Sequence, residues 1–327
     1  MPKWIGRRQS VGLGVESTRG TSVSASYWYN VLSWSHFDVP QRARSNASFG
    51  EISEGDVAPV VQNHAEGEME IEVGDVSIGV ILKALLGTET VTGPVDSAYT
   101  HTYSLQNDNV HDSLTIITVD PIGTFRFSRA MIDSLTLNIT KDSIVSTVVR
   151  FLSNPAQEYS PATKTYSKEN KFIGRGLNFD IATTTAALSS STPTKVRSLT
   201  LTFEKNAEIR AVLSTIHPED IVNKLFTIRG EIEVDYEDRT YLDLVRDGSY
   251  KAIRVELVGT TLITGSTATF PAFKIDLSKV DFENWAGDFP NDDVVTQTLE
   301  FFALYDVGGQ DNVINSCTLI NELATVY

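Results

Sequence analysis

Apolar and polar residues alternate along most of the chain, which is the pattern of β-strands that bury one face. The alternating stretches are rich in β-branched and aromatic side chains, which strands favour. The clearest of them are residues 115–119, 134–139, 199–203 and 253–258. Residues 76–86 and 240–246 instead have apolar side chains at helical spacing, and each stretch ends just before a glycine. The pattern therefore predicts a mainly β protein with one α-helix in each half.

The two halves of the chain also resemble each other. Residues 67–73 (GEMEIEV) precede the first helix and residues 230–236 (GEIEVDY) precede the second, and Asp75 and Asp238 follow at equal spacing. Further matches in the same order are residues 32–37 with 197–203, 114–119 with 253–258, 144–151 with 294–301, and Phe127, Ile132 and Asp133 with Phe270, Ile275 and Asp276. Five ordered matches indicate an internal duplication.

The duplication predicts two tandem domains. The first domain covers residues 1–155 and the second covers residues 172–327. The linker between them, residues 156–171, is polar, contains Pro161 and has no apolar period.

Two long polar segments, residues 38–65 and 204–229, occupy equivalent places in the two halves and are predicted to be loops. Within the second, Pro218, Glu219 and Asp220 are typical of the start of a short helix. Loops of this length in a compact domain are usually functional or ordered by a partner. The charged residues that make them candidate contact sites are Arg42, Arg44, Glu51, Glu54, Asp56, Glu219 and Asp220.

Two predicted strands carry a carboxylate at every second position. These carboxylates are Glu68, Glu70, Glu72, Glu231, Glu233 and Asp235, and the residues between them are apolar. Because like charges on one strand face repel each other, a solvent-exposed face normally mixes the two signs. One interpretation is an ordinary solvent-exposed face, and the other is a surface whose function requires negative charge.

The charge balance restricts the partners. The 327 residues include 27 Lys and Arg against 42 Asp and Glu, a net charge of −15. Such a chain has no general attraction for phosphate backbones or anionic lipid. No apolar run approaches the ~20 residues of a membrane-spanning helix, and the N-terminal residues lack the pattern of a signal peptide. We therefore expect synthesis in a reducing cytoplasm and no membrane partner.

The sequence contains no recognisable catalytic or metal-binding motif. Cys317 is the only cysteine, which excludes an intrachain disulfide or a thiolate zinc cluster. Residues 12–14 (GLG) lack the third glycine of a dinucleotide-binding motif, and no Gly-x-Ser-x-Gly elbow is present. The five histidines, which lack metal-ligand spacing, are His36, His64, His101, His111 and His217. We expect a protein that is not an enzyme and that needs no cofactor or metal ion.

Several short segments occur in an order typical of one known family. They are residues 12–21 (GLGVESTRGT), Tyr27-Trp28, residues 43–45 (ARS) with Phe49-Gly50, residues 65–70 (AEGEME), Leu85-Leu86-Gly87, residues 99–103 (YTHTY) and residues 130–135 (AMIDSL). In these segments the chain resembles the tail tube proteins of long-tailed bacteriophages. The resemblance covers residues 6–155 directly and the second half through the internal repeat. The second half lacks the YTHTY segment and has an insertion at residues 280–291 around Trp285.

The resemblance implies two tandem tail-tube-type domains, each a β-sandwich or half-barrel with one flanking helix. In this family, subunits close into rings whose continuous β-barrel lines a lumen, and the rings stack into a tube. Rings usually contain six domains, so a duplicated chain is expected to form a homotrimeric, pseudo-sixfold ring. Four strands from each domain would give a barrel of about 24 strands. A long loop contacts the next ring, and residues 38–65 and 204–229 match it.

A role in the virion follows from the same resemblance. The chain is expected to be a structural tail protein that assembles with itself and with tape-measure, baseplate and terminator proteins. Double-stranded DNA would pass through the tube without specific binding. The six alternating carboxylates are predicted to face the lumen and repel phosphate.

Other roles remain open from the sequence. Related tubes occur inside contractile tails, gene-transfer particles and secretion or injection systems. A different class is a carbohydrate-binding or adhesin β-sandwich, for which Tyr27, Trp28, Tyr29 and Trp34 form the one dense aromatic group. An enzyme is a third and weaker alternative.

Overall fold

The computed structural model describes residues 3–50, 52–53, 55–160, 162–266, 268–309 and 312–327. The helices are α1 (Ser77–Leu86) and α2 (Thr240–Asp247), with 3-10 turns at Gly6–Arg8, Gly174–Gly176 and Thr185–Ser190. The strands are β1 (Ser10–Val15), β2 (Tyr27–Tyr29), β3 (Val31–Arg42), β4 (Val60–Glu72), β5 (Gly87–Val95), β6 (Ala98–Leu105), β7 (Leu114–Val119), β8 (Thr124–Thr140), β9 (Ser146–Ser153), β10 (Gln157–Glu158), β11 (Leu177–Ala182), β12 (Val196–Glu204), β13 (Glu208–Arg210), β14 (Asp220–Val222), β15 (Thr227–Asp235), β16 (Lys251–Val258), β17 (Ala272–Asp288), β18 (Thr296–Leu304) and β19 (Ile314–Asn321). The predicted mainly β class is confirmed.

Both predicted helices are present, and a glycine ends each of them. Gly87 has φ 100° and Gly248 has φ 61°, backbone conformations that L side chains rarely adopt. Almost every side chain of α1 is buried, whereas α2 buries only Leu244. The first helix is therefore a core element, and the second lies at the surface with one apolar stripe inward.

Eight antiparallel strands form one continuous layer, which we call the central sheet. Their order is β3-β4-β9-β8-β12-β15-β18-β17. The second part of β8 joins the two groups of four, because Ser134 pairs with Arg150 of β9 on one edge and with Glu204 of β12 on the other. The central sheet thus takes four strands from each half of the chain.

The first parts of the two longest strands, β8 and β17, belong to further ladders. The first part of β8 pairs with β7, which continues to β1 and β2. The first part of β17 pairs on one edge with β16, which continues to β11, and on the other edge with β19, which continues to β6 and β5. The β19–β6 pairing is a second connection between the halves. One hydrophobic cluster includes Leu137, Leu201 and Phe203, so apolar side chains also pack across the β8–β12 junction.

Strand pairing corrects one of the predicted sequence matches. Phe151 lies opposite Ile132, and the equivalent Phe301 lies opposite Phe282. Ile132 therefore corresponds to Phe282, and the predicted match of Phe127, Ile132 and Asp133 with Phe270, Ile275 and Asp276 is wrong. Alternating strands look alike at several shifts, so composition alone does not fix which positions correspond.

The predicted loop over residues 38–65 is mostly a β-hairpin. The β3–β4 ladder continues from Phe37 opposite Glu66 to Arg42 opposite Val60. Two backbone hydrogen bonds extend it, from the Ala43 and Ser45 N–H groups to carbonyls beyond residue 56. We call residues 37–66 the arm. His64 and Ala65 at its base are buried, but most of the arm beyond them is exposed, and its polar composition was therefore taken for irregular structure.

The segment 204–229 contains a short hairpin of β13 and β14, and the predicted helix start at Pro218, Glu219 and Asp220 is wrong. Asp220 begins strand β14 instead. The following residue, Ile221, is fully buried against Met131 and Leu152. Tertiary burial of a β-branched residue therefore decides the local conformation here.

Candidate functional surface

The carboxylates of β4 all point away from the core. Met69 and Ile71 are 0% and 1% exposed, while Glu68, Glu70 and Glu72 alternate with them on the opposite side. Because successive side chains of a strand point to opposite faces, burial of the apolar set fixes the direction of the acidic set.

Strand β15 repeats this arrangement in the second half. Ile232 and Val234 are buried, and Glu231, Glu233 and Asp235 lie on the opposite side. Both strands belong to the central sheet, and they are separated there by β9, β8 and β12. The structure thus brings all six predicted carboxylates onto one side of one sheet, which we call the acidic face.

Further carboxylates on the acidic face escaped the sequence reading. They are Glu66, Glu204, Asp281, Asp288 and Glu300. Glu300 lies directly opposite Glu231 in the β15–β18 ladder. For Glu300 the sequence holds a weak signal, since it is an exposed residue between the buried Leu299 and Phe301. One carboxylate in a strand, however, does not form a recognisable alternating pattern.

The arginines on the acidic face do not balance these charges. Arg197 forms an ion pair with Asp235 at 2.8 Å and lies 3.8 Å from Glu233, with all three side chains about 40% exposed. Exposed pairs of this kind contribute little stability. Two more arginines lie on this face, Arg150 on β9 and Arg229 on β15. The other positions of β8 and β12 on the same side include Thr136, Asn138, Thr200 and Thr202. The face is acidic and hydroxyl-rich.

The residues predicted for subunit contacts fall into two groups. Arg42, Arg44 and Asp56 lie on the arm, where Arg42 donates a hydrogen bond to the Ala58 carbonyl at 3.3 Å. Glu51 and Glu54 lie outside the described residues. The arm tip also exposes Phe49, Ile52 and Val57 to solvent.

Glu219 and Asp220 form the second group and lie at the β13–β14 hairpin. Asp220 contacts Arg19 of the first half at 2.8 Å and Arg129 at 3.8 Å. Although burial opposes its ionisation, hydrogen bonds from Arg19 and the Ile221 N–H and the charges of Arg19 and Arg129 lower the pKa of Asp220. Here the hairpin is held against the chain's own first half.

A buried lysine, also missed by the sequence reading, strengthens that connection. Lys205 is fully buried, and its Nζ donates to the Ala84 carbonyl at 2.9 Å, near the C-terminal end of α1. A cation is favourable at this end of a helix. Burial, aided by the Arg19 charge, lowers the pKa of Lys205 to about 7. No local sequence pattern marks this contact, because its partners are 121 residues apart.

Glu16 organises the segment that carries much of the family resemblance. Its carboxylate is 3% exposed and accepts hydrogen bonds from the Gly20 N–H, the Ser113 hydroxyl, the Thr115 hydroxyl and the Arg129 N–H at 2.5–2.9 Å. Four donors from three parts of the chain make Glu16 a structural centre.

Comparison with known protein families identifies the family of this chain. A family model described as phage tail tube protein matches residues 6–303. The chain belongs to the phage tail tube protein family, whose members are structural components of the virion tail and assemble with themselves and with other tail proteins. Among curated proteins, none matches the chain at a significant level.

The described residues contain neither a membrane-spanning helix nor a metal cluster. No helix in this part of the chain is both long and apolar enough to cross a membrane. No group of three or more His, Cys, Asp or Glu side chains within the same residues is arranged to hold a metal ion.

Proposed function

We propose that three copies of this chain close into a ring, with the acidic face lining the lumen, and that stacked rings guide double-stranded DNA. One observation carries the proposal: a single eight-stranded sheet contains four strands from each half and presents its carboxylates on one side. Three such sheets, joined by their edge strands, make a barrel with a predominantly acidic wall.

The dimensions support DNA as the cargo. Three chains supply about 24 strands, which at ~4.8 Å spacing and ~40° tilt give a circumference of ~150 Å and a backbone diameter of ~48 Å. Side chains of about 5 Å on each wall leave a bore of ~40 Å. A hydrated duplex fits this space with room for mobile counterions.

The charge of the wall supports passage rather than binding. A basic wall would bind the phosphate backbone and release counterions, which would hold DNA in place. An acidic wall repels phosphate over the Debye length of ~8 Å and keeps the duplex near the axis. The same acidity gives no comparable advantage for a protein cargo, so the acidic face favours a DNA-conducting tube.

We further propose that each half of the chain is one tube domain, with boundaries at residues 1–155 and 172–327. The order β3-β4-α1 in the first half matches β12-β15-α2 in the second, where the β13–β14 hairpin lies between β12 and β15. This order and the equal contribution of four strands to the central sheet support the division. The two domains are tied by the β8–β12 and β19–β6 ladders, so they would act as one rigid third of the ring.

Labelling tests which side of the sheet lines the lumen. Tubes of the Glu70→Cys variant are reacted with a thiol-reactive biotin and then with streptavidin on gold particles that are wider than the proposed bore and cannot enter it. We expect gold at tube ends alone. The matched variant Asp243→Cys, on the exposed side of α2, should carry gold along the whole tube. Gold along the length of Glu70→Cys tubes would place the acidic face outside and contradict the proposal.

The arm is proposed to contact the next ring. Past Ala65, where pairing with β9 ends, the arm continues as a two-stranded hairpin, and it exposes Phe49, Ile52 and Val57, apolar surface that a soluble monomer has no reason to keep uncovered. The charged residues Arg42, Arg44 and Asp56 flank this apolar tip and would align it.

A variant with a shortened arm tests ring stacking separately from ring closure. Replacing residues 44–58 by Asn-Gly closes the β3–β4 ladder with a two-residue turn and removes the tip. We expect rings of unchanged size that no longer stack into tubes, as measured by light scattering and negative-stain microscopy. As a control, the single variant Ser53→Ala should stack into tubes like the native chain. Long tubes from the shortened chain would show that the arm does not join rings.

A further inference from the structure

The central sheet has two unpaired edges, one at each end. Among the described residues, β3 pairs with β4 alone, and residues 281–288 of β17 pair with β18 alone. These edges expose large apolar side chains: Phe37 is 66% exposed, Leu32 is 58% exposed, and Phe289, just beyond β17, is 62% exposed. Unpaired edges with exposed apolar residues are sites of association with another chain.

The chain already contains one example of such a junction. Within the central sheet, the second part of β8 pairs with β12, with Thr136 opposite Thr202 and Asn138 opposite Thr200. In the order of the sheet, this internal junction joins β8, at the edge of the first half's four strands, to β12, at the edge of the second half's four strands. By duplication, the second part of β17 is the counterpart of β8, and β3 is the counterpart of β12.

The ladders fix how β12 and β3 correspond, residue by residue. Leu201 of β12 lies opposite Gly230, and His36 of β3 lies opposite the equivalent Gly67. Leu201 therefore corresponds to His36, and each neighbouring residue of β12 corresponds to the matching neighbour on β3.

A shared irregularity fixes how β8 and β17 correspond. The β8–β9 ladder shifts register between Ile132 and Ser134, and the β17–β18 ladder shifts between Phe282 and Asn284. A bulge at the same place in both halves means that the residues after it also correspond. Ser134 is thus the counterpart of Asn284, and the residues that follow them in β8 and β17 correspond one to one.

We infer that β17 of one copy pairs with β3 of a second copy in the register of the internal junction, with Ala286 opposite Phe37 and Asp288 opposite Ser35. This interface deepens the proposed function and rests on it, since it states how the ring is closed. Ala286 and Phe37 both lie on the acidic face, so a small side chain sits beside the exposed ring of Phe37.

The surroundings of β3 fit an incoming strand. The same register carries Phe289 to a position opposite Trp34. An open cleft there is lined by Tyr29, Leu32, Trp34 and Tyr166. An aromatic side chain that is exposed on one copy thus reaches an aromatic cleft on the next.

Disulfide trapping tests the register. Chains carrying either Phe37→Cys or Ala286→Cys are mixed, assembled and oxidised with glutathione disulfide, which accepts the two electrons as two thiols lose their protons and form one S–S bond. Each variant has one new thiol, and the native Cys317 is fully buried. We expect covalent dimers from this mixture and from the second in-register mixture, Ser35→Cys with Asp288→Cys.

Three controls make the result specific. Each single variant alone, and the off-register mixture of Ser33→Cys with Ala286→Cys, should give at least tenfold fewer dimers. The double variant Phe37→Cys/Ala286→Cys should give covalent species up to a trimer. Its two thiols lie about 34 Å apart along the sheet of one chain, across seven strand spacings, so they link between chains.

The outcomes separate two failures. Rings or tubes that form without in-register dimers, or with equal off-register dimers, would overturn the register and leave the proposed function standing. Dimers from one single variant alone would indicate pairing of like edges and also overturn it. A chain that stays monomeric at high concentration would overturn the proposed function itself, and light scattering of the unoxidised samples detects that case.

Discussion

Tubes of the double variant Glu70→Lys/Glu233→Lys are expected to retain duplex DNA that native tubes release. The substitutions change the wall by about 12 charges per ring of three chains. The wall keeps an excess of carboxylates, but its repulsion of the duplex is reduced and six new lysines per ring can contact phosphates, so local counterion release favours retention. We expect at least tenfold more short duplex to co-sediment with the variant tubes at low salt. The retention should be lost between about 50 and 200 mM salt, because each phosphate contact steepens the salt dependence.

Two matched variants make this result interpretable. Asp243→Lys/Asp247→Lys makes the same change in charge on exposed positions of α2, away from the acidic face. Its tubes should retain DNA at the native level, since a duplex on an open outer surface touches few of the new lysines. Glu70→Gln/Glu233→Gln keeps side-chain size and removes the negative charge, and it should retain an intermediate amount. Equal retention by the two lysine variants would contradict a lumenal acidic face.

Glu16→Ala is expected to prevent folding. The substitution leaves two buried hydroxyl donors and two part-buried N–H donors without their acceptor, and each unsatisfied buried group costs about 1–3 kcal/mol. The sum approaches the roughly 5–15 kcal/mol that stabilises a typical domain. Two of the donors are backbone N–H groups, and those of Gly20 and Arg129 belong to residues with positive φ that the carboxylate holds in place. The variant should be insoluble or should lose its cooperative urea transition.

The matched controls are Glu16→Gln and Glu158→Ala. Glutamine keeps one acceptor oxygen but presents an amide group to the remaining donors, so its loss of stability should be intermediate. Glu158 is an exposed carboxylate of β10, and its removal should change the free energy of unfolding by less than about 0.5 kcal/mol. A soluble Glu16→Ala protein with a native urea midpoint would show that the four hydrogen bonds do not anchor the fold.

Much of the fold was predictable because one face of most strands is buried. Alternation then reports both the strand and its direction, which is why Met69 and Ile71 point inward and the neighbouring glutamates outward. The helices were predictable for a similar reason, since an apolar stripe and a terminal glycine are both local signals.

Contacts between distant segments could not be predicted. Nothing near Lys205 indicates that it reaches Ala84, and nothing near Glu16 indicates that three of its four donors come from residues 113, 115 and 129. The pairing of β8 with β12 is equally non-local, although it decides that the two halves share one sheet. The arm was misread because most of it is exposed, so its apolar and polar residues do not alternate as they do in a strand with one buried face.

Averaged electron micrographs of assemblies from the purified chain test the central claim most directly. We predict hollow rings or tubes with three chains per ring and a bore of about 40 Å. The wall should be formed by the central sheet, with β4 and β15 facing the lumen and the helices outside. A chain that remains monomeric at high concentration would contradict this prediction, and so would a ring whose bore is lined by α1 and α2 while Glu70 and Glu233 face the outside.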